Sequence, residues 1–337
     1  MKRNMKIWFD EALAADQKKA IPILSFPIVN KMGITVSELL GSSESQAKGM
    51  KAVADSVDSW ISVSFMDLSV EAEAFGAQVK SDPNEVPTIM GQLIQTREQA
   101  EALQVPEVGA ARTGTYVEGI KRAMDLITDR PVLAGCIGPF SLTGRLMDIT
   151  EVMIKCRKDP EMVHIVLDKA TEFLIQYAKA YKAAGANGIC MAEPLAGILS
   201  PKMIQQFSSD YVKRIIDAVR DENFAVLYHN CGNSVMHLAD SILTCGANAY
   251  HFGNAINMEE MLNKLPDHII AMGNIDPASQ FCMGTPESIR EETLALMKAC
   301  TPHKNFIISS GCDIPPNSPW ENVEAFFSAV KEFYSQS

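Results

Sequence analysis

Residues 188–231 read GICMAEPLAGILSPKMIQQFSSDYVKRIIDAVRDENFAVLYHNC, and this stretch decides the fold. It opens on a short apolar run, Gly188 to Met191, and closes on another, Phe224 to His229, both of the length of buried strands. Between them Phe207, Tyr211, Ile215 and Ala218 recur at helical spacing across Ile204 to Val219. Strand, helix and strand in this order form a βαβ unit, which implies a parallel sheet.

Outward from that unit the same alternation continues. Further strands are expected at Ile21 to Phe26, Ser59 to Phe65, Pro131 to Cys136, Ala249 to Phe252, His268 to Met272 and Asn305 to Ser309, eight in all. Helical periodicity fills the gaps, as in Glu161 to Ala184 with Val163, Val166, Leu167, Ala170, Phe173 and Leu174. No Gly/Ser-rich or Pro-rich linker divides the chain. The expected fold is therefore a (β/α)8 TIM barrel forming one domain over residues 1–337. An N-terminal helix from Trp8 to Lys19 should lie against one end, and residues 79–126 should form a helical insertion or lid after the second strand.

Composition narrows the function classes. With 41 acidic against 30 basic residues, spread along the chain, the net charge of -11 argues against a nucleic-acid partner. No apolar run reaches the 18 or so residues of a membrane span, and the N-terminus lacks an export signal, so a cytoplasmic protein is expected. Eight cysteines without a repeating spacing are not a disulfide framework. In a reducing compartment they are buried hydrophobes or metal ligands.

Three of the site candidates stand where such a barrel carries its chemistry, at the C-terminal ends of strands. The fifth expected strand ends in AVLYHNC, so His229 and Cys231, two residues apart, project to one side of an extended segment. The eighth ends in IISSGC, which brings Cys312 to the same rim. One His and two Cys make a zinc donor set that leaves a fourth position for substrate. Two thiolates cancel the metal's charge, so a third, substrate thiolate keeps electron density on sulfur. That is activation of a thiol for alkylation. Burial of the two cysteines, with His229 in a local hydrogen-bond network, is the alternative the residues leave open.

The chain also resembles a known superfamily. GANGICMAEPLAGILSPKMIQQF, AMGNIDPASQF, SWISVSFMDLSVEAEAFGAQV, LAGCIGPFSLTGRLMD and SGCDIPPNSPWENVEAF are similar to blocks of uroporphyrinogen decarboxylase and its relatives, across nearly the whole chain. The resemblance implies the (β/α)8 barrel. The decarboxylase carries an arginine-rich N-terminal stretch for the substrate's carboxylates, whereas PILSFPIVNKMGITVSELLGS here contains no arginine. HNC and the distant GC instead resemble the zinc ligands of the methylcobamide:coenzyme M methyltransferase branch. That resemblance implies zinc on His229, Cys231 and Cys312, a thiol such as coenzyme M, and a methylated corrinoid (methylcobamide) on a partner protein as methyl donor. Cobalamin-independent methionine synthase is similar in its zinc chemistry but adds a glutamate after the next strand. Here NAYHFGN places Gly253 there and offers His251.

Other rim residues have assigned expectations. Asp67 in SFMDLS matches the superfamily's FxD aspartate and could orient a ligand, partner His229, or cap the helix that follows. Glu193 in CMAEP could be a displaceable fourth ligand. Asn274 and Asp276 in GNIDP fix their loop and are candidate corrinoid contacts. Gly138 and Pro139 permit a tight turn or a close approach of backbone to ligand. Met66, Met191, Met272 and Met283 suit either a corrin or the core. The functional alternatives are a corrinoid-dependent demethylase that methylates Co(I) from an ether, thioether or amine, a uroporphyrinogen decarboxylase-like enzyme, and a tetrapyrrole-binding protein.

Overall fold

The computed structural model describes residues 3–336; the first two residues and the last one of the expected 1–337 domain lie outside it. In chain order the strands are β1 (Ser62–Val63), β2 (Gln78–Asp82), β3 (Glu85–Met90), β4 (Val132–Ile137), β5 (Gly188–Ala192), β6 (Ala225–Asn230), β7 (Ala249–Phe252), β8 (Ile270–Ile275) and β9 (Phe306–Ser310). All except β2 and β3 form one seven-stranded sheet of order β1-β4-β5-β6-β7-β8-β9, and every pairing in it is parallel. Helices connect the strands, so the architecture is α/β with a curled parallel sheet.

The expected first strand, Ile21 to Phe26, is not a strand among the described residues. Pro22 and Pro27 remove two backbone donors, so a continuous ladder cannot form there. The segment still bridges the two ends of the sheet. Ile21 N donates to Ile308 O of β9 at 3.0 Å, and Ala20 O accepts from Trp60 N, ahead of β1, at 3.2 Å.

Residues 79–126 also depart from expectation. The expectation is a helical insertion or lid, but the segment opens on the antiparallel hairpin of β2 and β3, and helices follow only at Arg97–Ala102 and Thr113–Leu126. The cause is local: Val79, Val86, Thr88 and Ile89 favour extended backbone, and Pro83-Asn84 supplies the turn. The N-terminal helix runs from Met5 to Ala14 rather than from Trp8 to Lys19. Asn4 caps it through a bond from Ile7 N at 3.0 Å.

Period-two alternation along the strands builds two apolar layers. Tyr228, Tyr250, Phe252, Phe306 and Ile308 face the surrounding helices. Leu133, Cys190, Ala225, Leu227, Ala249, Ile270, Met272 and Ile307 face the opposite way and join Ile21 and Ile23 in an interior cluster, which Met5, Phe9 and Ala12 close at one end. Each fully buried Leu or Ile side chain contributes roughly 1.5–3 kcal/mol. A one-residue slip of β6 would exchange these two sets, so packing fixes the register. In that register Ala225, Leu227 and His229 share one parity, and the apolar interior ends upward in polar groups.

Candidate metal centre

His229, Cys231 and Cys312 converge, with their donor atoms all within 4.8 Å of one another. Cys312 Sγ lies 3.5 Å from His229 Nε2. The two thiols share a hydrogen bond, which holds Cys231 below its ordinary pKa and pushes Cys312, with help from burial, up to about 12. That shared bond favours the thiolate on Cys231 over one on Cys312, and thiolate is the form a soft metal binds. The donor chemistry fits Zn²⁺, which takes one imidazole and two thiolates readily.

Glycines make room for this approach. A Cβ on Gly253, at the end of β7, would stand 2.5 Å from Cys231 Cα. A Cβ on Gly311 would stand 2.7 Å from the backbone nitrogen of Asn254. Gly253→Ala is therefore expected to push the Cys231 backbone aside, costing about 1–3 kcal/mol of stability. A urea midpoint and the zinc content of the purified variant check this. Unchanged values for both would mean that the Cys231 position tolerates the methyl group.

The imidazole of His229 is 2% exposed and held from behind. Its Nδ1 lies 2.7 Å from His251 Nδ1, whose ring sits at the same register on β7. His251 Nε2 lies 2.7 Å from Ser309 Oγ, and Ser309 donates to Ile21 O at 2.8 Å. Burial, then the neighbouring His229, keeps the His251 pKa well below the usual imidazole value. Residue reading named His251 but not this partnership or Ser309. Matching strand-end histidines on adjacent parallel strands were the available signal.

Glu193 is not in the cluster. Its carboxylate accepts from Phe140 N at 2.8 Å, Ser141 N at 3.2 Å and Ser208 Oγ at 2.9 Å, clasping the start of helix Pro139–Met147. Gly138 serves this clasp, since a Cβ there would fall 1.9 Å from Glu193 Oε2. Burial pushes the Glu193 carboxyl up to about 7 against those bonds. Asp67 likewise turns to other partners than His229. It pairs with Arg112, accepts from Tyr116 OH at 2.8 Å and from Ser69 N at 3.1 Å. Arg112 also bonds Glu73 at 2.6 Å, and although burial is the largest single influence and opposes its charge, Asp67, Tyr116 and Glu73 together outweigh it and raise its pKa. Arg112 carries no local motif, and residue reading missed it.

Asn274 donates to Gly253 O and Ile256 O, both at 2.9 Å, and so ties the loop that carries Gly253. Asp276 accepts from Ala278 N at 2.8 Å and Ser279 N at 3.0 Å, capping the turn Pro277–Cys282. Met191 and Met272 are fully buried and Met66 nearly so, which leaves Met283 as the exposed one of the four. Of the remaining cysteines, Cys136, Cys156, Cys190, Cys245 and Cys300 are buried, and Cys282 is partly exposed.

Beside Asp67 stands Glu71, 1% exposed, with Oε1 accepting from Ile137 N at 3.0 Å and Oε2 without a partner. Burial pushes its carboxyl up to about 7. A raised carboxyl pKa means that the folded state holds the proton longer than the unfolded chain does. The stability it contributes is full below about 4.5 and is lost as pH rises through about 7. Glu71→Gln mimics the protonated acid. Its urea midpoint should match the parent's at pH 4.5, exceed it increasingly up to pH 7, and keep a constant lead above. Parallel pH profiles for the two proteins would refute the assignment.

No helix among the described residues is long and apolar enough to cross a membrane. Comparison with known proteins gives a consistent picture. The family described as uroporphyrinogen decarboxylase (URO-D) matches residues 28–333. The methylcobamide:CoM methyltransferase MtbA of Methanosarcina acetivorans is 26% identical over 271 residues, covering 79% of this chain and 78% of that protein. A uroporphyrinogen decarboxylase of Coxiella burnetii is 25% identical over 281 residues, covering 80% and 76%. Among solved structures, a methyltransferase from Methanosarcina mazei superposes with a TM-score of 0.86 at 23% identity, covering 96% of this chain and 97% of the other.

Proposed function

We propose, from the premise that this chain belongs to the uroporphyrinogen decarboxylase family, that it is a methyltransferase of the methylcobamide:CoM type. It moves a methyl group from a methylated corrinoid protein to a small thiol such as coenzyme M. His229, Cys231 and Cys312 hold zinc, and the ring of seven strands with its bridging segment 20–25 is read as a (β/α)8 barrel in a single domain. The observation that carries the reading is the meeting of one imidazole and two thiols, from strand ends far apart in the chain, at a single point.

Zinc, when bound there, supplies the positive charge that keeps a substrate sulfur as thiolate at neutral pH. The chain's own residues do the rest. Cys231 and Cys312 give two negative charges, so a third sulfur keeps its electron density. His229 is fixed in place by His251, whose Nδ1 lies 2.7 Å from its own. The sulfur–carbon bond forms as the carbon–cobalt bond breaks, cobalt keeps the electron pair, and the thiol's proton leaves to solvent. In-line positioning is what such a transfer demands, with no general base for the methyl step itself. Glu193 and Asp67 therefore serve the frame of the site, through the bonds that hold Phe140, Ser141, Arg112 and Tyr116.

Incubation of the zinc-loaded protein with methylcobalamin and a panel of thiols tests the reading. Loss of the methyl–cobalt absorbance with appearance of the methyl thioether is expected for at least one thiol. No loss with any thiol, alongside methylation of Co(I) from an ether, thioether or amine, would transfer the assignment to a demethylase.

A further inference from the structure

We infer that Ser309 and His251 are positioning residues that lock His229 in one tautomer, with its proton on Nδ1 and the Nε2 lone pair free for a metal. The metal half of this inference rests on the zinc reading above. The tautomer half rests on hydrogen-bond polarity and on the burial of His251.

The chain of bonds starts at a group that has no proton to give, the backbone carbonyl of Ile21. Ser309 Oγ lies 2.8 Å from it, so the hydroxyl proton points there. A hydroxyl has one proton. At 2.7 Å from His251 Nε2 the serine oxygen can therefore only accept, and His251 carries its proton on Nε2. Neutral His251 then presents a lone pair at Nδ1, and His229 Nδ1, 2.7 Å away, must be the donor. What remains bare on His229 is Nε2, the atom 3.5 Å from Cys312 Sγ.

The reverse polarity is excluded by the same bookkeeping. If Ser309 turned its proton toward His251, two oxygens would face each other with lone pairs at 2.8 Å. A second proton on His251 would make His229 Nδ1 the acceptor instead, and burial disfavours it: His251 is 1% exposed, with its two ring nitrogens spent on His229 and Ser309. The first carbonyl is also flanked by anchored backbone, because Ile21 N is bonded to Ile308 O and Ile23 N to Ser310 Oγ. Segment 20–25 thereby does two things: it bridges the ends of the sheet and sets the direction of the proton chain. An imidazole whose far nitrogen is committed as donor is pre-set as a ligand, and outer partners of this kind are worth about 10–100-fold in metal affinity.

The test uses the zinc-free full-length protein with nitrogen-15 histidine. Long-range proton–nitrogen spectra should place the His229 proton on Nδ1 and the His251 proton on Nε2. Ser309→Ala releases the lock: the His229 ring should become a mixture of tautomers, and zinc affinity by chelator competition should fall about 10–100-fold. A merely structural serine would change the melting temperature and leave the ring nitrogens as they were. A His229 proton on Nε2 in the parent protein, or unchanged zinc affinity in Ser309→Ala, overturns the inference. Should Ser309→Ala fail to fold, the parent spectrum decides by itself. A parent protein with the expected protons that takes up no zinc would instead sink the zinc reading and leave the tautomer lock standing.

Discussion

Cys312→Ser is expected to lose zinc and to reduce methylation of a thiol by more than about 100-fold, because a direct ligand contributes more than the 10–100-fold of an outer partner. The fold should survive. Cys312 lies on the loop after β9, is only partly buried, and its partners are His229 and Cys231 rather than the apolar interior. Serine keeps the shape but offers a hard, protonated oxygen where zinc prefers a thiolate. Metal content, circular dichroism and the methylcobalamin assay, measured together, separate a broken site from a broken fold. A variant that turns over at the parent rate would show that sulfur at this position takes no part.

Arg112→Met should be the most destabilising single change near the site, by about 3–5 kcal/mol in urea unfolding. The Asp67 side chain is wholly buried, and Arg112 is the cation that compensates it. Tyr116 and Ser69 remain as donors but cannot neutralise the charge. The same arginine holds Glu73, so the strand-end aspartate, the short helix Val70–Ala74 and the start of helix Thr113–Leu126 loosen together. Adding Asp67→Leu removes the stranded charge and should recover most of the loss. A cost below about 1 kcal/mol for Arg112→Met would mean that the pair behaves like an exposed surface ion pair.

The legibility of this chain follows the range of each interaction. Strands β4 to β9 were readable because each is built on a short, mainly apolar run, and period-two alternation carries from Ala225 and Leu227 to His229 without help from distant residues. Cys231 and Cys312 were readable as well, since strand ends of a parallel α/β sheet share one rim. Segment 21–26 was misread because its apolar residues outweighed Pro22 within it and Pro27 just beyond. The hairpin was misread because exposed strands alternate weakly, and Gln78, Lys80 and Asp82 look like any solvated segment. Glu193 and Asp67 were harder. Their partners, Phe140 and Arg112, lie 53 and 45 residues away, and no local spacing announces a carboxylate committed to a helix start or a guanidinium. His251 occupied the middle ground: its position was legible, while its bond to His229 needed the register of β6 against β7.

The proposal that a substrate sulfur joins Cys231, Cys312 and His229 is tested most directly by X-ray absorption at the zinc edge, with and without thiol. The account predicts two sulfur neighbours and at least one nitrogen around zinc in the resting protein, and three sulfurs once a substrate thiol is added. A sulfur count that stays at two in the presence of a thiol the protein methylates, or zinc without sulfur neighbours, would contradict it.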